Sequence, residues 1–308
     1  MKKTLILIFL SISFLILSKG VYASGITSNL SGSVSPTINY ITLDKGSNEL
    51  ENITYYNTSS VNELVYLYSM NFMTNINGNV TFSYRSVKGS SDLWVSFVKN
   101  SYLVYPHSKI DIPVYIKVPS YAIPGGHYVS VFFQVSSEGA LTNSNVGVIS
   151  RIAALFFINI NGNIFYNAEI SSSVFNAPYW HIGSFYFPLF YIRKYTIVNI
   201  IYNKGNTYID SLGNINIVNS YTNNRKSYTL PEHLILQGVA RKLQTEINNH
   251  ALNFGKYKIT STVFYGFKQN SKNGFIIFVF PLYVIFLLTG FLLLVILVVY
   301  KFIKKVKA

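Results

Sequence analysis

Residues 110–118 read Ile110-Asp-Ile-Pro-Val-Tyr-Ile-Lys-Val118, and their alternation decides the fold class. Ile110, Ile112, Val114, Ile116 and Val118 fall on one face, and Asp111, Pro113, Tyr115 and Lys117 on the other. Successive strand side chains point to opposite faces, so this period of two marks a half-buried strand. Pro113 has no amide hydrogen, which places the strand at a sheet edge or puts a bulge at that residue.

The neighbouring segments repeat the pattern. Pro119 to Gly126 is rich in turn residues, and from Tyr128 the chain alternates again with Val129, Val131, Phe133 and Val135 inward. Arg151–Ile160 is apolar on both faces, which suits a central strand or one facing a neighbouring domain. Leu64–Phe72, Tyr195–Tyr202 and Lys258–Tyr265 are further strand candidates. The turn at Asn203-Lys-Gly-Asn206 stands where Asn57 and its turn stand in the first half. Between residues 25 and 270 no segment sustains a helical period; the nearest to an exception, Val239–Asn249, is short and has no cap. The expected fold is all-β: two tandem immunoglobulin-like β-sandwiches over residues 24–162 and 163–270, with a boundary near Asn161-Gly-Asn163.

Both ends of the chain read as membrane signals. Lys2 and Lys3 precede an apolar run from Leu5 to Leu17, and Val21-Tyr-Ala23 carries small residues at the two positions a signal peptidase reads. Residues 1–23 are therefore expected to be a signal peptide. Phe275–Tyr300 holds no formal charge. As a helix it would measure roughly 39 Å, enough to cross a hydrocarbon core of about 30 Å with some tilt. Lys301, Lys304, Lys305 and Lys307 follow in a short basic tail, residues 301–308. Their excess over Lys268 and Lys272 on the other flank predicts a cytoplasmic C-terminus and an exported body.

Charge and cysteine content narrow the classes. Three of the 25 basic residues lie in the leader and four in the tail, leaving 18 against 11 acids for the body. That modest excess favours anionic neighbours such as phospholipid headgroups or wall polymers. Nucleic acid is not an expected partner, because the chain reads as exported and clusters no Lys/Arg beside a reading motif. There is no cysteine, so no disulfide supports the body and its core must suffice. Asn-x-Ser/Thr matches at Asn29, Asn52, Asn57 and Asn79 are unremarkable in so Asn-rich a chain.

Several of these segments, taken in order, resemble a known surface module. They are Ser35-Pro36, Leu43-Asp-Lys-Gly46, Ile53-Thr-Tyr-Tyr-Asn57-Thr-Ser, Pro106 with Ile110–Pro119, and Pro124-Gly-Gly-His-Tyr128. The succession is similar to the peptidoglycan-binding N-terminal domain of the WxL-interacting protein family and to related bacterial NEW3-type Ig-like domains. The resemblance covers about residues 34–160 and reaches 165–267 in outline. It implies a cell-wall or surface-complex scaffold and transfers no catalytic residue.

The sequence offers little chemistry. His107, His127, His181, His233 and His250 form no HxH or HxxxH pair, and no local calcium loop, GxSxG or phosphate loop occurs. No cofactor and no metal site is expected, and His127 reads as an exposed loop residue. Phe175–Tyr195 is dense in aromatic residues. Exposed rings bind sugar faces and partner proteins, so Tyr179, Trp180 and His181 are the candidate contact residues. The competing readings are that these rings fill the core and the joint between domains, or that they meet the membrane interface. Trp94 reads as core. The function expected is a non-enzymatic, single-pass cell-surface protein that binds a wall polymer or another exported protein. The alternative is a pilus-chaperone-like assembly factor working by strand addition.

Overall fold

The computed structural model describes residues 30–137, 149–248, 250–266 and 269–307; the leader read at 1–23 lies outside them. The first ten strands are β1 (Gly32–Ser35), β2 (Ile38–Leu43), β3 (Asn48–Asn57), β4 (Glu63–Thr74), β5 (Val80–Phe82), β6 (Val95–Phe97), β7 (Ser101–Val104), β8 (Lys109–Lys117), β9 (Gly125–Ser137) and β10 (Ile149–Ile160). They form a four-stranded sheet ordered β1-β3-β8-β6 and a six-stranded sheet ordered β2-β10-β9-β4-β5, with β7 also on β4. The rest are β11 (Ala168–Asn176), β12 (His181–Ile182), β13 (Phe185–Tyr186), β14 (Tyr195–Asn203), β15 (Ile209–Asn219), β16 (Arg225–Ile235), β17 (Ala240–Ile247), β18 (Gly255–Tyr265) and β19 (Gln269–Val279). These make a three-stranded sheet β11-β14-β17 and a six-stranded sheet β12-β13-β19-β18-β15-β16. Besides a short 3-10 turn at Ser91–Trp94, one α-helix, α1 (Leu282–Lys307), lies among the described residues and follows the last strand. The architecture is all-β, four sheets around two main cores, with one apolar C-terminal helix.

The alternating stretch is β8. Ile112, Val114, Ile116 and Val118 are at most 2% exposed and meet Ile53 and Tyr55 of β3 and Val129, Val131 and Phe133 of β9 in one core. The β8 register against β3 passes through Pro113↔Asn52 without a shift, so there is no bulge at the proline. β6 flanks β8 only from Val114 to Ile116. On that side Lys109–Pro113 has no strand neighbour among the described residues, and there a missing amide costs no ladder bond.

A second core gathers Ile170, Ile197, Ile201, Ile215, Ile217 and Ile259 between the two later sheets. A third, smaller cluster joins the halves: Phe72, Tyr128 and Phe157 from the first pack on Leu236 and Val239 of the second. This is why β10 is apolar on both faces. Phe156 and Ile158 point into the first core while Phe157 points to the joint. Polar bonds rim the contact. Gly126 N donates to Asn206 O at 2.8 Å, and Gln237 Nε2 to Gly126 O at 2.8 Å. Gly125 has φ +123°, and a Cβ there would stand 2.0 Å from the Asn206 carbonyl, so only glycine admits this approach.

The two halves share a corner. Asn57, 1% exposed, donates from Nδ2 to Val61 O and Val104 O and accepts Ser59 N. Asn203, fully buried, donates from Nδ2 to Thr207 O and Ile235 O and accepts Gly205 N. Each amide thus ends a strand by closing its turn and tying it to a distant strand.

Two expectations, the bounds of the apolar helix and of the second sheet pair, require correction. The apolar run 275–300 is not one helix: Phe275–Val279 ends β19, paired to β18 from Gly255↔Val279, and α1 begins at Leu282. Ile277 and Val279 are buried in the second core, and burial against a sheet outweighs the helical reading. The second sheet pair therefore extends past residue 270, and the helix runs through the basic segment to Lys307. Val239–Asn249 holds no helix over its described part, which is mostly β17, with Leu243, Thr245 and Ile247 turned inward.

Candidate interaction surfaces

Among the described residues, no group of three or more His, Cys, Asp or Glu side chains could hold a metal ion. The histidines lie apart. His127 is a half-buried residue of β9 rather than part of an exposed loop. Its ring lies 4.5 Å from that of Trp94, and Nε2 is 2.9 Å from Ile123 O. Burial pulls its pKa below the ordinary histidine value, partly opposed by the Ile123 carbonyl. Burial, then Lys226, lowers the pKa of His250. Trp94 itself is 5% exposed in the first core. The buried carboxylates are satisfied within the body. Glu63 accepts Tyr55 Oη at 2.6 Å and Ser31 N at 3.2 Å, and Asp92 accepts Asn71 Nδ2, Ser86 Oγ and Ser90 Oγ.

What the body offers instead is strand edge. β10 pairs with β9 along its whole length, from Ile149↔Ser136 to Ile160↔Gly125. Its other side carries β2, in parallel, only from Leu155 to Ile160. Ile149–Ala154 therefore has no strand on that side among the described residues. Leu155 N donates across to Thr37 O at 2.8 Å. Strand alternation then sends the amides of Ala153 and Arg151 to the same open side. Ile149 is 53% exposed, and Ile152 is half-buried against the first core. The row is thus an unfilled continuation of β2, with apolar side chains beside it.

The longest edge strand, β16, is different. β16 has 11 residues and pairs with β15 alone among the described strands. It starts with Arg225 and Lys226 and contains Pro231, devices that blunt an edge against pairing.

The aromatic segment divides between core and surface. Phe175, Tyr186, Ile192 and Tyr195 are buried in the second core, and Tyr179 packs half-buried against it. Trp180 is 65% exposed, and Phe190 is 60% exposed. His181 is exposed, with its ring stacked on Tyr186 at 4.9 Å. Of the three candidate contact residues, Trp180 and His181 are thus exposed and Tyr179 is half-buried. The Trp180 ring lies 4.8 Å from that of Phe187, which is 6.4 Å from Phe280. Phe280 N donates to Tyr186 O at 2.8 Å and Leu282 N to Pro188 O at 2.7 Å, so this loop is strapped to the start of α1. Of the basic residues used to orient the chain, Lys301 is an exposed residue of α1. Lys304, Lys305 and Lys307 lie on the same helix, their side chains outside the described residues.

The sequence reading missed both the edge and the strap. An open hydrogen-bonding row depends on which distant strand ends where, and no local pattern carries that. The strap had one visible signal, Pro178 and Pro188 bracketing a segment whose rings follow no single period.

No family model and no curated protein sequence matches the chain. Among solved structures, it is similar to a chaperone–tip adhesin complex of CFA/I fimbriae biogenesis, at 12% identity over 82% of this chain and 99% of that one, with a TM-score of 0.41. It is also similar to the class 5 fimbriae chaperone CfaA, at 14% identity over 82% and 100% of the two chains, with a TM-score of 0.40. A third similar structure is the CsuC–CsuE chaperone–tip adhesion subunit pre-assembly complex of Acinetobacter baumannii, at 12% identity over 82% and 100%, with a TM-score of 0.36.

Proposed function

We propose that this chain is an exported, membrane-anchored, non-enzymatic protein that captures an extended segment of another exported protein by strand addition to β10. The observation that carries the reading is the unpaired row Ile149–Ala154, in line with β2 and beside apolar side chains. Backbone hydrogen bonds along such a row give affinity, and alternate side chains give selectivity. Each sheet pair, with its own core, acts as a domain, and α1 holds both at the outer face of the membrane. Wall-polymer binding through Tyr179, Trp180 and His181 has less support, because Tyr179 rests on the core while the other two face outward.

A photo-crosslinking side chain at Arg151 tests this in cells producing the full chain. The expected result is a crosslinked partner at Arg151 that is lost when Ala153→Pro removes an outward amide. The proline takes away no bond to β9, so stability should fall by less than about 1 kcal/mol. Equal crosslinking from Tyr228 on β16, or a yield indifferent to the proline, would refute strand addition at this edge.

A further inference from the structure

The strap around residues 180–190 has a definite height relative to the helix. The apolar part of α1, Leu282–Ile303, is 22 residues long. At about 1.5 Å per residue it measures roughly 33 Å, against a hydrocarbon core of about 30 Å. If the helix spans a bilayer, its first turn stands at the boundary between acyl chains and headgroups. The strap is bonded to that turn: Leu282 N reaches Pro188 O at 2.7 Å, and the Phe190 ring lies 6.4 Å from Tyr283.

The exposed rings form a band at this level. Trp180 and Phe190 are mostly exposed, and Phe185, stacked 4.8 Å from Phe278, is 43% exposed. Phe254, 42% exposed, meets Phe280 edge-on at 5.3 Å. Cations sit among them: Lys256 Nζ is 5.8 Å from the Phe278 ring, and the Arg193 guanidinium 4.5 Å from that of Tyr191. Aromatic bodies with cations beside them suit the headgroup zone, where rings are favoured and phosphates are close. In water the same band is a large exposed apolar patch with nothing among the described residues to cover it.

We propose that the Trp180–Phe190 strap is a lipid-interface collar: the rings of Trp180, Phe185 and Phe190 seat in the headgroup zone of the bilayer that α1 crosses. This rests on the reading of α1 as a span, and its test separates the two. The chain has two tryptophans, and Trp94 is buried, so Trp180 can report alone in a Trp94→Phe variant. The full-length variant is reconstituted into phosphatidylcholine–phosphatidylglycerol vesicles, with phosphatidylcholine brominated either near the headgroup end of its acyl chains or near their methyl end. Insertion of α1 is read separately by resistance to alkaline extraction.

The expected result is an extracted-resistant protein whose Trp180 emission is blue-shifted and loses more intensity to the shallow bromines than to the deep ones. Subtracting the spectrum of Trp180→Phe from that of the unaltered chain gives the same quantity if Trp94→Phe fails to fold. An inserted protein whose Trp180 stays red-shifted, open to soluble acrylamide and untouched by bromolipid, overturns the collar while keeping the span. A Trp180 signal that moves only when wall glycan fragments are added overturns it in favour of a polymer site. Release by alkali overturns both span and collar.

Discussion

Two free edges of this body, on β10 and β16, have opposite characters. β10 leaves Ile149–Ala154 open with apolar neighbours, whereas β16 is open along 11 residues but carries Arg225, Lys226 and Pro231. Elsewhere the halves behave alike. Each closes a strand end with a buried asparagine, Asn57 or Asn203, that donates to a turn and to a distant strand. Shared corners with unlike edges show that pairing capacity is not a by-product of the sheet pair. A strand must be protected or left bare residue by residue.

The largest test of the shared corner is its removal. Asn57→Ala and Asn203→Ala each strand two buried carbonyls and one amide, at a cost of about 3 kcal/mol. Denaturant unfolding of the full chain in detergent should give near-equal losses; a loss at one site alone would break the equivalence. A smaller effect belongs to the first half only. Tyr55→Phe leaves Glu63, which has no solvent exposure, with Ser31 N as its remaining described partner, and should cost about 2 kcal/mol by the same measurement. No change would mean that Glu63 finds another donor.

Acid gives the smallest effect and touches both halves. Burial lowers the pKa of His127 in the first half and of His250 in the second from an ordinary value of 6.5. The unfolded chain then binds protons more readily, so stability is complete above about pH 6.5 and declines as pH falls below it. His127→Gln and His250→Gln should each flatten that decline in thermal unfolding. A steeper decline in either variant would contradict the sign.

The sequence made the strands around residue 112 readable because one face is buried and the other wet, which is the condition under which a period of two survives. Pro113 was informative for the same local reason: it sits where β8 has lost its second neighbour. The end of β19 was hidden. Phe275, Ile277 and Val279 alternate with Ile276 and Phe278, so every residue is apolar and the strand merges with the helix that follows. Only Phe280-Pro281 marks the change, since a residue before proline avoids the helical region. β17 was obscured differently: Arg241, Lys242, Gln244 and Glu246 favour helix, and the sheet overrides them. Of the candidate contact residues, exposure of Trp180 and burial around Tyr186 depend on packing against β19, which lies over 90 residues away in the chain.

Between the last residue of β19 and the first of α1 stand only Phe280 and Pro281, and both flanks are bonded to the loop beside them. Such a junction has no slack. The helix is less a leash than an axle: turning it must turn the sheet pair joined to it, and, on the proposed function, a segment clasped along β10 would be carried round at a fixed radius and height. Lengthening that joint with a few flexible residues would set the body swinging.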